Sequence, residues 1–437
     1  MLALGFDHVS DDDYARVTIA QAFAHAPRLD PTGTSWLPFP FWALGAVMMA
    51  AGRSLAVARV ASVAFASAAA ALPYVALRRV GATRASAGLA VGFAVLSPWN
   101  LWLGAATVPE SFTASFAVAA AIALGAKARR GGARADFGFA VAMLAACLSR
   151  YEAWPVAAVL AVVVAWRGWR GPRAARWQEL ALAGVVAIGP IAWMAWNAHA
   201  HGDALHFFER VARYKRGLGE AHESTVSALL AYPRLLFTRR PDVAAALGVA
   251  LVGGHFFVRS RSEMRGRWGV ALACAAAQIA FLAYGNVRDG APTHHPERAL
   301  LGVFFITAAC AADVLTEAAP AAMAMARARV PAIVVMGLLA LGWLGSSARA
   351  LRDVPGAGAP EDRRAQLDAG RALRAARAEH VEVTPCAYEH FALVAAFGAP
   401  ERVTTRPPTG APVTAKCPGV EATPLSGPEA DGGRDSR

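Results

Sequence analysis

The chain has 437 residues, 56% of them hydrophobic and only 17% charged, with a mean hydropathy of +0.37. Soluble domains carry about 25% charged residues. The deficit, with its repeated long apolar stretches, marks an all-α polytopic membrane protein. A net charge of +12 would suit nucleic acid, but the basic residues form no continuous face. They lie in short clusters between apolar runs, which excludes a nucleic-acid surface and fits the positive-inside rule.

The chain begins with "FDHVSDDDYARVTIAQAF" (6–23), where Asp11, Asp12 and Asp13 precede an amphipathic run. "MLALGF" is too short for the apolar region of a signal peptide. Next comes "WLPFPFWALGAVMMAAG" (36–52). Its two prolines and two tryptophans suit an interfacial or re-entrant helix rather than a full crossing. Ten apolar runs follow, near 54–77, 85–103, 107–126, 136–149, 152–166, 178–198, 241–258, 268–285, 298–316 and 330–348. Each is expected as a membrane helix. Their Ala- and Leu-rich composition has no period-2 alternation, so a barrel is not expected. The runs 136–149 and 152–166 fall short of the roughly 20 residues a span needs and read as a tilted or shallow hairpin. Cys147, Cys274 and Cys310 lie in apolar runs as packing residues.

The connectors alternate in charge. "LRRVGATR", "KARRGGAR", "WRGWRGPRAARW", "RSRSEMRGRW" and the stretch holding Arg327 and Arg329 are basic and go to the cytoplasm. "ATVPES", "SRYEAW", 199–240 and "YGNVRDGAPTHHPE" go outside, as do residues 1–53 and everything after 349. An external N-terminus implies one more helix upstream of Met1. The stretch 199–240 is too polar to span and carries Phe207, Phe208, Val211 and Tyr214 at helical spacing, so it reads as surface amphipathic helices. Residues 349–405 read as a small external α/β unit, and 406–437 as a Pro/Gly-rich disordered tail. Cys386 and Cys417 fall in this external part, where pairing and free thiols remain equal alternatives.

Four polar groups therefore gather at the outer membrane face. They are the Asp block, Glu110, the stretch Arg150, Tyr151 and Glu152, and the stretch His294, His295, Glu297 and Arg298. Any one of them alone could be a snorkelling anchor. Together, Arg and His at the membrane boundary suit a lipid phosphate, and a carboxylate above them suits a general base toward an acceptor hydroxyl. That combination describes transfer of a sugar from a polyprenyl-phosphate carrier. A bland reading of the Asp block makes it only the start of a surface helix, with Asp13 near the N-cap.

The motif order resembles a known family. The acidic block, the Pro-rich "WLPFPFWALGAVMMAAGRSLAVARVAS", then "SPWNLWLGAATVPES", "LSRYEAW" and "HHPERALLGVFF" run in the sequence of the GT-C membrane glycosyltransferases. Within these, the resemblance is to the protein O-mannosyltransferase and aminoarabinose transferase branch. It implies that the first-loop acid matches the Asp block, with Asp12 favoured and Asp13 next. Glu110 matches the acid between early helices, and Arg150 and Arg298 match the basic residues near the lipid phosphate. Three Asp residues stand where the family has two acids, and "HHPERALLG" lacks the family's Arg-Tyr pair.

The implied partners are a polyprenyl-phosphate sugar donor and a lipid, glycan or protein acceptor, with the protein in the plasma or inner membrane. No metal spacing is recognisable, so no metal is expected. Asp11, Asp12, His294 and His295 are the groups that would offer ligands to a divalent ion. The alternative function is a transporter or flippase of lipid-linked saccharides. It would call for charges within the helices and paired inverted halves, whereas the ten runs are nearly free of charge.

Overall fold

The computed structural model describes residues 8–33, 35–126, 132–217, 224–256, 261–290, 296–324, 330–352, 362–384, 388–405 and 422–425. His294, His295, Cys386, Cys417 and nearly all of the tail 406–437 lie outside the described residues.

Helix α1 (Asp12–His25) starts on the acidic block, and α2 (Phe39–Ala51) follows a Pro-rich entry with Pro38 at its N-cap. Helix α3 (Leu55–Arg79) is opened by Ser54, whose hydroxyl accepts the N–H of Val57 at 3.2 Å, and is closed by Arg78 and Arg79 in its last turn. Both ends follow helix logic: a side-chain oxygen satisfies an orphan donor, and cations meet the negative end of the dipole.

The run 85–103, expected as one helix, is two. Helix α4 (Arg84–Val95) and α5 (Pro98–Ala105) are bent by 74°. Pro98 has no N–H to continue the ladder and disfavours helix at Ser97, which is extended at ψ 142°. Asn100 Nδ2 donates to the freed Val95 carbonyl at 3.3 Å.

Helix α6 (Glu110–Gly125) is the axis of the bundle, with all of its residues but Phe116 buried. It packs against α3, against α7 (Ala133–Cys147) and α8 (Trp154–Arg170), and against α13 (Arg261–Val287) and α14 (Leu301–Ala324). Ala and Gly let these helices come close. A Cβ added at Gly125 would lie 2.8 Å from the Val270 side chain. Helix α7 packs on α6 and α9 (Arg173–His201), while α8 packs on α9 and α13. Helices α7 and α8 thus share α6 and α9 as neighbours but barely touch each other, so they do not lie along each other as a hairpin.

The polar stretch 199–240 supplies the end of α9, then α10 (His206–Gly217) and α11 (Thr225–Thr238). Helix α12 (Pro241–Phe256) and α15 (Val330–Arg352) complete the bundle beside α14. Among the described residues, four helical stretches are long and apolar enough to cross a membrane: Leu55–Arg79, Arg173–His201, Ser262–Val287 and Pro296–Glu317. The bent pair α4–α5 makes a fifth if it is one span. The other apolar runs form shorter helices. Helix α6, at 16 residues, spans about 24 Å at 1.5 Å per residue.

Helix α16 (Arg364–Ala375), β1 (His380–Val383), α17 (His390–Phe397), β2 (Val403–Thr405) and β3 (Ala422–Leu425) close the chain. The sheet order is β2-β1-β3, with β2 parallel and β3 antiparallel to β1. Helix α17 packs on α1, and Gln21 Nε2 ties them by donating to Ala395 O at 2.8 Å and Arg53 O at 3.2 Å. Gly398 ends α17 at φ 83°, where an added Cβ would press within 2.7 Å of Arg53 O.

Among the described residues, side chains beside three of the basic connectors meet at the end of α6 away from Glu110, while Arg327 and Arg329 lie outside the described residues. There Arg79 Nη2 pairs with Asp136 at 2.9 Å, and Arg167 donates to the carbonyls of Ala126 (2.7 Å) and Leu124, capping α6. Within the run 298–316, Asp313 is a fully buried carboxylate. Its oxygens accept from Ser86 Oγ, from Arg267 Nη1 at 2.5 Å and from Trp268 Nε1 at 2.8 Å.

Candidate active site

Four elements bring their ends together where α6 begins. Glu110 opens α6, Arg150 follows α7, Arg298 lies in the 3-10 turn Pro296–Leu300 before α14, and Asp12 opens α1. A single oxygen of Glu110 organises them. Glu110 Oε1 accepts from Arg150 Nη1 at 2.7 Å and from Arg298 Nε and Nη2 at 2.9 and 2.6 Å. Three donors on one oxygen leave the other bare: Glu110 Oε2 is buried with no hydrogen-bond partner. Arg150 also grips Glu152 in a two-point fork, at 3.1 and 2.6 Å. Burial disfavours the Arg150 charge, and Glu110 and Glu152 outweigh it, so its pKa is raised.

The three aspartates have separate fates. Asp11 is forked by Arg363 at 2.8 and 2.7 Å. Asp13 faces inward, its carboxylate accepting the N–H groups of Val9 and Ser10 on one oxygen and of Thr107 on the other. Burial raises its pKa, against the pull of Arg298 and these N–H donors. Asp12 alone is open, with its side chain 47% exposed and one oxygen 3.7 Å from Arg298 Nη1. Helical geometry accounts for the split, because successive residues point about 100° apart.

The other candidates stand at the edge. The Tyr151 hydroxyl donates to Ser35 O at 2.7 Å and accepts from Trp193 Nε1 at 3.1 Å, and burial raises its pKa. It is turned toward the loop before α2, not toward Glu110. Glu297 is buried and lies 3.6 Å from Arg239. Among the described residues, no group of three or more His, Cys, Asp or Glu is arranged to hold a metal ion.

Sequence reasoning overlooked Ser10, Gln278 and Arg16. Ser10 Oγ lies 3.4 Å from Arg298 Nη1. Gln278 Nε2 donates to Ala299 O at 2.7 Å and fixes the turn that carries Arg298. Arg16 stands four residues after Asp12, one helical turn on and on the same face of α1. That spacing was the available signal. Glu110, Arg150, Glu152, Gln278 and Arg298 line a crevice of about 30 Å³, well below the volume of a sugar pocket. The chain's own carboxylates fill the space in front of the two arginines.

No protein-family model matches the chain, and no curated protein matches its sequence. Solved structures do. ArnT from Cupriavidus metallidurans bound to undecaprenyl phosphate superposes with a TM-score of 0.53 and 13% identity, covering 92% of this chain and 86% of that one. Its apo state gives 0.51 and 14%, covering 92% and 85%. The chain has the GT-C fold. Within it, the cluster on Glu110 stands at one end of α6, and Arg79 and Arg167 stand at the other.

Proposed function

We propose that the protein is a membrane glycosyltransferase that moves a sugar from a polyprenyl-phosphate donor to an acceptor at the outer face of the membrane. The observation that carries this reading is the convergence of Arg150 and Arg298 on one oxygen of Glu110, with open Asp12 beside them. Two guanidiniums that share a carboxylate oxygen are set for a phosphate oxygen, which offers the same charge and more acceptors. Asp12 is the group free to take a proton from an acceptor hydroxyl. ArnT, whose fold this chain shares, has been solved with undecaprenyl phosphate, and that lipid is the donor class proposed here.

In this reading the ten apolar runs cross or line the plasma or inner membrane. The basic connectors are cytoplasmic, and residues 1–53 and the C-terminal elements are external. No divalent ion is required for the step. Glu110 holds the two arginines until the donor phosphate displaces one of them, and Asp12 then faces the acceptor.

The test is the glycolipid profile of cells with and without the gene. A polyprenyl-phosphate sugar that accumulates on deletion is the expected result, and an unchanged profile overturns the reading. The orientation has its own test. A cysteine introduced at Asp368, 70% exposed on α16, should react with an impermeant maleimide in intact spheroplasts. Labelling only after lysis would reverse the topology.

A further inference from the structure

Arg16 is a third guanidinium at the Glu110 end of the bundle, and the cluster does not pair with it. It is 6% exposed. Among the described residues it has no ion pair, and its Nε is closed off from solvent without a hydrogen-bond partner. Its guanidinium carbon lies over ring faces, 4.3 Å from the centre of Trp36 and 5.9 Å from that of Phe41, with the carboxylates of Glu110 and Asp12 acting on it from beyond pairing distance. Burial lowers its pKa to about 10, and Glu110 and Asp12 oppose that shift. At neutral pH it is therefore still a cation. A buried, unpaired charge is strongly destabilising, and a buried polar group without a partner calls for a missing one.

The guanidinium opens on a second crevice, lined by Pro40, Phe41, Phe65, Thr107, Pro109 and Phe112. Pro109 and Phe112 flank Glu110 in the chain, and Glu110 itself lines the crevice of Arg150 and Arg298. The turn at the start of α6 is thus a wall with an arginine-bearing crevice on each side. A reaction that joins two substrates needs two such places around its acid and base.

We propose that Arg16 holds a second substrate anion, a phosphate or carboxylate group, in this aromatic crevice, across the Pro109–Phe112 wall from the anion held by Arg150 and Arg298. The proposal rests on the transferase reading above. An oxyanion supplies the hydrogen bonds that Arg16 lacks, and its fork matches a planar carboxylate or two phosphate oxygens. The anion has two possible sources, a further charged group on the donor or a charged acceptor.

Trp36 is the reporter. The full chain, purified in detergent, is titrated with inorganic phosphate while tryptophan emission is followed. Trp36→Phe isolates the contribution of that ring. Phosphate should change Trp36 emission in the wild type. Arg16→Gln should abolish the change, Arg16→Lys should weaken binding by about tenfold because a point charge cannot reproduce the fork, and Arg298→Gln should retain it. Arg16→Gln removes an unpaired buried charge, so its Tm should hold or rise.

A polyprenyl-phosphate uronic acid, whose sugar carboxylate is a further charged group, then separates the sources. If it removes the phosphate response at saturation, the anion belongs to the donor. If the response persists, it belongs to the acceptor. No Trp36 response in the wild type overturns the proposal, as does a response that survives Arg16→Gln. Loss of the response in Arg298→Gln as well would merge the two crevices into one site and also overturn it. Undecaprenyl phosphate that binds equally well to Arg298→Gln defeats the transferase reading and leaves the Arg16 result standing.

Discussion

Two buried carboxylates divide the helix bundle between them, and they are satisfied in opposite ways. Asp313 is fully buried and uses both oxygens, one for Ser86 and the other for Arg267 and Trp268. Glu110 is just as closed, at 2% exposure, but crowds three donors onto one oxygen and leaves the other bare. The two lie at different depths. Arg298, Glu110's partner, is 15 residues before Asp313, or about 22 Å along a helix axis. The first arrangement ties α4, α13 and α14 together. The second draws two arginines onto one oxygen and keeps the other unused beside them. A buried ion pair by itself does not distinguish structure from function. The distribution of unused donors and acceptors around it does.

The largest expected effect falls on Asp313. Asp313→Ala removes the buried partner of Arg267, leaving it only the more exposed Glu317 at 3.0 Å, and should cost about 3 kcal/mol of stability, read as a fall in Tm, while transfer per folded molecule is kept. The double change Asp313→Leu with Arg267→Met should recover most of that loss, because apolar packing replaces both charges. A stable but inactive Asp313→Ala protein would erase the contrast.

Asp12→Asn should do the reverse, cutting transfer by about 100-fold or more at unchanged Tm, in a deletion strain with protein levels checked by blot. Full activity would make the acidic block a helix start only. Arg298→Lys should come next, raising the donor KM by roughly tenfold with a smaller change in kcat, since an ammonium cannot fork. The smallest effect belongs to Glu401, which Arg53 holds at 2.7 Å. Burial works to raise the Glu401 pKa, and the Arg53 hydrogen bond overcomes it, so the carboxyl sits below its ordinary 4.5. A depressed acid stabilises the fold above that ordinary value and stops doing so as the pH falls through the lower one. Solvent screening limits the gain to about 1 kcal/mol or less. Glu401→Gln should flatten the acid limb of the stability curve by that amount.

Much of the architecture was legible because apolar runs leave the backbone few options. The run 54–77 became Leu55–Arg79, and 241–258 became Pro241–Phe256. The kink at Ser97–Pro98 was written in the sequence but passed over inside an apolar stretch. Glu110, Arg150 and Arg298 were legible as ionisable residues at helix mouths, and they meet on one oxygen. The division of labour among Asp11, Asp12 and Asp13 was not. It depends on Arg363 and Thr107, which are 352 and 94 residues from their partners, and no local pattern encodes such pairings. Arg16 was hidden because an arginine one turn into an amphipathic helix reads as a solvent-facing charge. Asp313 qualifies the expectation that the helix interiors carry almost no charge: its neighbours neutralise it, so it offers no transport path on its own account.

The fork from Arg363 to Asp11 and the Gln21 bridge to Ala395 set an order of events during synthesis. The segment bearing Asp12 leaves the ribosome first, yet the residues that hold it are made hundreds of peptide bonds later. Until they arrive, the first helix lacks its clamp, and Asp12 lacks the support that sets it beside Arg298. A nascent chain halted before residue 363 should insert its helices and remain silent toward substrate. Adding the missing C-terminal stretch as a separate polypeptide should restore transfer to such a chain. A transferase of the kind proposed would thereby be kept inert while it is still being threaded into the membrane.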